Sequence, residues 1–284
     1  MPTIAISGAS GHLGRLVTQE LLDRGVAPDD LVLVTRNPDG LPGHPNVRHG
    51  DWTQPDTLPA AFAGVDRLLL ISGDDLGTRL AGQLAAIEAA KAAGVQRVVY
   101  TSAPNPVPDN PFAVGPSHRG TEEALQASGL RWIALRNALY AEFQIPDFQG
   151  AIATGQMVSN QGEGRTTYIS REDCAAAAAG ALLSDTADGV YEITGTELLS
   201  PADKAALAAE LGRRPVEAVL VDDDAFIAGL QQVGIPAEGA QVIASFGRAI
   251  REGYLDQLTD AVAQLAGRPP RSLRDVVAPA LQSA

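Results

Sequence analysis

The 284-residue sequence holds one cysteine, Cys174, and two lysines, Lys91 and Lys204. A single thiol excludes an intramolecular disulfide. Because the chain begins in a strand-like segment rather than a basic and apolar leader, a reducing cytoplasm is the expected compartment. Long apolar runs are missing as well. The longest, Cys174 to Leu183, is about half of the roughly 20 residues a membrane span needs, so it reads as a buried alanine-rich helix. Aromatic residues make up 5% of the chain, which leaves Ala, Leu and Val to fill a core drawn from an ordinary 45% apolar fraction. Positive charge is scarce. A net charge of −13 repels phosphate backbones and anionic surfaces, which argues against nucleic acid and membrane as partners.

What the chain does have is alternation. Short apolar runs predict strands at Thr3 to Ser7, Leu31 to Thr35, Val47 to Gly50, Arg67 to Ile71, Arg97 to Thr101 and Arg131 to Arg136. Stretches of helical period lie between them, at about Leu13 to Arg24, Pro55 to Ala63, Leu80 to Ala93 and Thr121 to Ala127. The pattern is that of βα units, and runs such as Leu68-Leu69-Leu70-Ile71 predict strands covered on both faces. The expected fold class is therefore α/β, a Rossmann-type doubly wound parallel sheet.

After Arg136 the rhythm changes to a glycine-bearing loop stretch, and a helix opens near Ser170. Helix-start signals follow at Ser200-Pro201-Ala202-Asp203 and at Ser272 to Asp275, with short strands expected near Val190 to Thr194 and Val216 to Val221. This divides the chain into residues 1–145, a dinucleotide-binding domain, and residues 146–284, a smaller and mostly helical substrate-binding lobe interleaved with the first.

The strongest local signal is Ile4-Ala5-Ile6-Ser7-Gly8-Ala9-Ser10-Gly11-His12-Leu13-Gly14, a strand running into a glycine-spaced loop and then a helix. Gly8 permits the tight turn, Gly11 lets backbone approach a pyrophosphate, and Gly14 lets helix and strand pack closely. Free amides at the helix start then attract the anion, so Gly8, Ser10, Gly11, His12, Leu13 and Gly14 form the expected cofactor loop. At the end of the second strand, where a carboxylate would accept from the 2′-hydroxyl of NAD, the chain reads Val34-Thr35-Arg36-Asn37-Pro38. Arg36 is suited to a 2′-phosphate, which points to NADP; the plain alternative is a solvated surface arginine. Asp51 and Trp52, Ser72 and Gly73, and Thr101 and Ser102 follow the next three strands at the same carboxyl edge, and are expected to line the groove.

Other chemistries fail on spacing. His44 and His49 lack partners for a metal site, Ser117 beside His118 forms no nucleophile elbow, and Asp222-Asp223-Asp224 reads as a helix start. No Tyr-x-x-x-Lys pair exists, which removes most support for alcohol or carbonyl chemistry.

The glycine loop, Thr35-Arg36-Asn37-Pro38, Arg48-His49-Gly50-Asp51-Trp52, Leu70-Ile71-Ser72-Gly73, His118 with Thr121-Glu122, and Arg136-Asn137-Ala138-Leu139-Tyr140 occur in that order. This set resembles the NmrA-like atypical short-chain dehydrogenases, and within them the second type of NADPH quinone oxidoreductases and the triphenylmethane reductases. The resemblance spans nearly the whole chain. It implies a cleft between the two lobes and a reductase that passes hydride from NADPH to a quinone or triarylmethane dye. The competing expectation is a non-catalytic NADP-binding redox sensor that signals through a protein partner. Tyr140 and Asn137 are placed near nicotinamide and acceptor by the resemblance, His118 is a candidate to orient substrate or donate a proton, and Phe143 a candidate apolar wall. One departure is Glu123, where the quinone reductases commonly carry Lys. A homodimer is compatible with the family.

Overall fold

The computed structural model describes residues 2–282. Its centre is a seven-stranded parallel sheet of order β10-β6-β5-β4-β1-β2-β3. The strands are β1 (Ile4–Ser7), β2 (Leu31–Thr35), β3 (Val47–His49), β4 (Arg67–Leu70), β5 (Arg97–Ser102), β6 (Arg131–Asn137) and β10 (Gly189–Ile193). The first six lie within one or two residues of their expected spans. Side chains alternate strictly across the sheet. Ile4, Ile6 and Leu69 enter one core layer, and Ala5, Leu68 and Leu70 enter the other. That accounts for the unbroken apolar runs, since each face of a strand meets helices.

One face is covered by α1 (His12–Asp23), α6 (Arg171–Leu183) and α10 (Ala261–Ala266), the other by α2 (Leu58–Phe62), α3 (Arg79–Ala92) and α4 (Gly115–Ser128). Helix α6 is the alanine-rich run, and its small side chains let it lie buried against both α1 and α10. Helix α4 begins six residues before the expected Thr121. Pro116 sits in its first turn, where a missing N–H costs nothing, so His118 is the fourth residue of the helix.

The second lobe contains α5 (Gln144–Thr154), α7 (Pro201–Gly212), α11 (Leu273–Gln282) and a parallel pair of strands, β8 (Gln156–Ser159) and β11 (Glu217–Leu220). Helices α8 (Asp223–Gln232) and α9 (Ala237–Arg251) flank it. The Ser200 start is a full capping box, Ser272 and Asp275 exchange the same reciprocal bonds, and Asp222 caps α8. The strand near Val190 has a different destination from its neighbours in sequence. It becomes β10, the edge of the main sheet, pairing Val190 with Ala134 of β6. Chain beyond residue 146 thus contributes β10, α6 and α10 to the main sheet and the remainder to the lobe.

Between the two lies a two-residue parallel pair, β7 (Leu139–Tyr140) with β9 (Tyr168–Ile169). It fixes Tyr140 directly after β6. Among the described residues no helix is long and apolar enough to cross a membrane, and no group of three or more His, Cys, Asp or Glu is placed to hold a metal ion.

Candidate functional site

All strands of the main sheet run parallel, so their carboxyl ends form a single edge, and the order reverses between β1 and β4. Ligands of open α/β sheets bind outside that edge at such a switch point. Here the edge begins with the glycine loop. Gly8 turns in the left-handed region at φ 79° and its N–H donates to the Val34 carbonyl. Gly11 is the N-cap of α1, and no side chain caps that helix end. The first-turn amides are therefore left for an outside acceptor. A Cβ at Gly14 would stand 2.3 Å from the Gly8 carbonyl oxygen and 2.7 Å from Ala9 Cα, so the helix approaches the loop as closely as glycine alone permits. Gly11 is less confined: its φ of −73° suits any residue, and the nearest atom to a Cβ there is the Gly8 oxygen at 3.3 Å. Gly8, Gly11 and His12 are exposed, Leu13 is buried beneath them, and Ser10 shares a 2.8 Å hydrogen bond with the Thr35 hydroxyl.

Arg36 follows Thr35, is exposed, and makes no hydrogen bond or ion pair among the described residues. An arginine not singled out by motif, Arg15, braces this corner. It donates to the Ser10 and Gly40 carbonyls at 2.9 Å each, tying the glycine loop to the turn after β2. Asp51 is turned inward and accepts from the Thr53 N–H and hydroxyl. Burial pushes its carboxyl up, but the Thr53 bonds and nearby Arg36 outweigh this and leave it below the ordinary value. The Trp52 indole donates to the Ser7 hydroxyl at 3.1 Å, and its ring packs on Gly73 and Gly82.

Further along, the Ser72 N–H donates to Thr101 Oγ1 at 2.8 Å, and Ser102 donates to Glu122 Oε1 at 2.6 Å. Glu122 is in turn gripped by Arg136, which also reaches Glu192 at 3.0 Å. Glu123, the departure noted above, lies on the outer face of α4 beside Arg119 and is 68% exposed in its side chain.

His118 sits apart from that edge. It is 5% exposed, with Nδ1 2.7 Å from the Tyr100 hydroxyl and Nε2 3.4 Å from Arg79. Burial, with Arg79 adding repulsion, pulls its imidazole down to about 3 and keeps it neutral. Arg79 donates onward to the Gly73 carbonyl at 2.6 Å, so the cluster supports the Ser72–Gly73 turn from the interior. Arg79 had no sequence signal beyond its place just before an apolar helical run.

At the far end, Asn137 closes β6 with its Oδ1 buried and without a hydrogen-bond partner. The Tyr140 ring lies beyond it. Burial, with Cys174 nearby, pushes the Tyr140 hydroxyl well above its usual range despite the Asn137 side chain and Arg171, so it stays protonated. Phe143 stands 5.9 Å from Tyr140, ring to ring, and is 62% exposed. Arg171, which motif reading passed over, reaches both rings.

A model of NAD(P)H-binding proteins matches residues 8–185, which span the glycine loop, strands β2 to β6 of the main sheet and α6. The chain belongs to the NAD(P)H-binding family. It is an NAD(P)H-dependent oxidoreductase. Quinone oxidoreductase 2 of Escherichia coli (strain K12) is 32% identical over 96% of this chain and 97% of its own length. The NAD(P)H azoreductase of Xenophilus azovorans is 28% identical over 80% of this chain and 79% of its own. Among solved structures, the Escherichia coli NADPH-dependent quinone oxidoreductase complexed with NADPH superposes with a TM-score of 0.92 at 31% identity, covering 98% and 99% of the two chains. The Citrobacter sp. triphenylmethane reductase complexed with NADP(H) gives 0.88 at 28% identity, covering 97% and 98%.

The residues present fit the family's dinucleotide. Gly14 leaves no room for a side chain where loop and helix meet, α1 has an uncapped amide end, Arg36 has an unused guanidinium, and Asn137 carries an orphaned acceptor.

Proposed function

We propose that the chain is an NADPH-dependent reductase whose acceptor is a flat, apolar, electron-poor small molecule such as a quinone or triarylmethane dye. The observation that carries this is the placement of Asn137, Tyr140 and Phe143 at the β6 end of the edge that the glycine loop opens, without any Tyr-x-x-x-Lys pair. On this reading Gly8, Ser10, Gly11, His12, Leu13 and Gly14 hold the pyrophosphate, and Arg36 reads the 2′-phosphate. Asp51 and Trp52 border the adenosine half, while Ser72, Gly73, Thr101 and Ser102 line the middle of the groove. The part of residues 146–284 outside β10, α6 and α10 supplies the lobe beside the acceptor, and the cytoplasm is the compartment that suits a lone buried Cys174.

When bound, NADPH supplies a hydride. A cationic dye that receives it needs no proton, and a quinone becomes a hydroquinone anion that collects its proton from water. The chain's own residues have the task of orientation: Asn137 offers its free Oδ1 to a donor such as an amide N–H, and Tyr140 stays protonated and shapes the wall. His118 is a positioning residue, acting through Arg79 on the Ser72–Gly73 turn.

Initial rates of NADPH and NADH oxidation with a panel of quinones and triarylmethane dyes test the proposal. Acceptor-dependent oxidation that favours NADPH supports it. Tight NADPH binding with no oxidation by any acceptor overturns it in favour of the redox-sensor alternative.

A further inference from the structure

Arg171 owes its place to local sequence. Ile169 pairs with Tyr140 in the β7–β9 ladder, Ser170 caps α6, and Arg171 is the first residue of that helix, so the chain turns back over Tyr140 at once. Its guanidinium carbon lies 4.8 Å from the centre of the Tyr140 ring and 4.7 Å from that of Phe143. A planar cation thus fills the angle between two aromatic faces, an attractive arrangement. None of its guanidinium N–H groups makes a hydrogen bond among the described residues. Glu142 lies 3.7 Å away, beyond hydrogen-bond range, and spends its other oxygen on the Arg171 backbone N–H at 2.8 Å. The remaining acids of the α6 first turn are engaged elsewhere, Glu172 by Arg271 and Asp173 by Arg268. Arg171 is therefore held by the two rings together with its ion pair to Glu142.

Phe143 shares the Arg171 guanidinium with Tyr140. It is a large aromatic left 62% exposed, beside the strand end where the acceptor is proposed to sit. Leaving such a side chain in water is unfavourable unless something covers it. With one face against Arg171, the ring is fixed in orientation and offers its other surface to a planar ligand.

We propose that Arg171 is a positioning residue for the acceptor site, clamping Tyr140 and Phe143 so that Phe143 forms a rigid stacking wall for an aromatic acceptor. This rests on the reductase reading given above. Loss of the cation frees the Phe143 rotamers, and ordering them again falls on the acceptor's binding. The effect belongs to the acceptor's affinity and leaves the cofactor's untouched.

The test compares Arg171→Met, Arg171→Lys and Phe143→Ala with the parent protein. Methionine keeps an unbranched stem, and the Ser170 cap and the bond from the residue 171 N–H to Glu142 do not need the guanidinium. The protein loaded with NADP⁺, which cannot donate hydride, is titrated with a naphthoquinone by calorimetry, and steady-state rates with NADPH are measured beside it. Arg171→Met and Phe143→Ala should each weaken naphthoquinone binding and raise its KM roughly 5-fold to 30-fold, the factor that one to two such ring contacts carry. Arg171→Lys should recover part of the loss, with NADPH affinity unchanged throughout. Equal naphthoquinone affinity in parent and Arg171→Met, or a loss of NADPH affinity of the same size, overturns the proposal. Naphthoquinone that neither binds nor supports turnover in the parent would instead remove the reductase reading on which it rests.

Discussion

At the β1–β2 end of the carboxyl edge the groups that the proposed reading turns to a ligand are mostly backbone: the uncapped amides of α1 and the glycine loop, with one free arginine, Arg36. At the β6–β7 end they are side chains, Asn137, Tyr140, Phe143 and Arg171, set by a short strand pair and a helix that returns from 31 residues further on. Backbone binding fixes spacing in the sequence, because Gly8 answers to its left-handed turn and Gly14 to the close approach of helix and loop. Side-chain walls fix only a kind of surface, which many sequences can supply. On the proposed reading, the first end specifies the cofactor, and the second is where an acceptor preference can change without disturbing the fold.

The largest effect is expected at Gly14. Gly14→Ala forces a Cβ against the Gly8 carbonyl at 2.3 Å, and such overpacking costs about 1–3 kcal/mol of stability. Both NADPH and NADH binding should be lost in fluorescence titrations of protein that urea unfolding shows to be folded. Normal binding of either would move the pyrophosphate site elsewhere. A milder break is Arg36→Ala. Charge-assisted hydrogen bonds are worth roughly 1.5–3 kcal/mol, so NADPH should weaken about 10-fold to 150-fold while NADH stays nearly level. Equal losses would mean that Arg36 does not read the phosphate.

His118 sharpens the boundary between site and interior. Its imidazole titrates near 3 in the fold against an ordinary 6.5, so between those values the unfolded chain binds the extra proton. Stability should therefore fall as pH drops through that window, by up to about 1.4 kcal/mol per unit, and be fully present above it. Urea unfolding of His118→Gln from pH 7 to pH 4 should show a flatter decline, and an identical slope would contradict the buried neutral assignment. The smallest change is expected from Tyr140→Phe, which keeps the ring over Arg171 and should retain most NADPH oxidation, whereas Tyr140→Ala opens the wall and should lose much more. If both variants fail alike, the hydroxyl is an essential donor and orientation alone is not enough.

These two ends also differ in how far sequence discloses them. Strand periodicity located β1 to β6 because burial on both faces leaves an unbroken apolar run, and the glycine loop is legible because its physics is local. The start of α4 was displaced, since Pro116 is as compatible with a loop as with a first helical turn. Val190 looked like a strand of the second lobe because nothing in its own residues says which sheet it joins; the pairing partner is Ala134, far away in the chain. Arg15, Arg79 and Arg171 escaped for the same reason, each being defined by contacts with distant segments. The Ser170 cap did place Arg171 at a helix start, and that was the available signal.

The division between a cofactor end and an acceptor end is tested most directly by measuring kcat and the KM for NADPH of Arg36→Ala and Tyr140→Ala together, with one quinone as acceptor. The expected result is a separation: Arg36→Ala raises the KM for NADPH and reaches nearly the parent rate at saturation, while Tyr140→Ala lowers turnover with the KM for NADPH unchanged. If both variants move the KM for NADPH by the same factor, the two ends act as one site and the division is wrong.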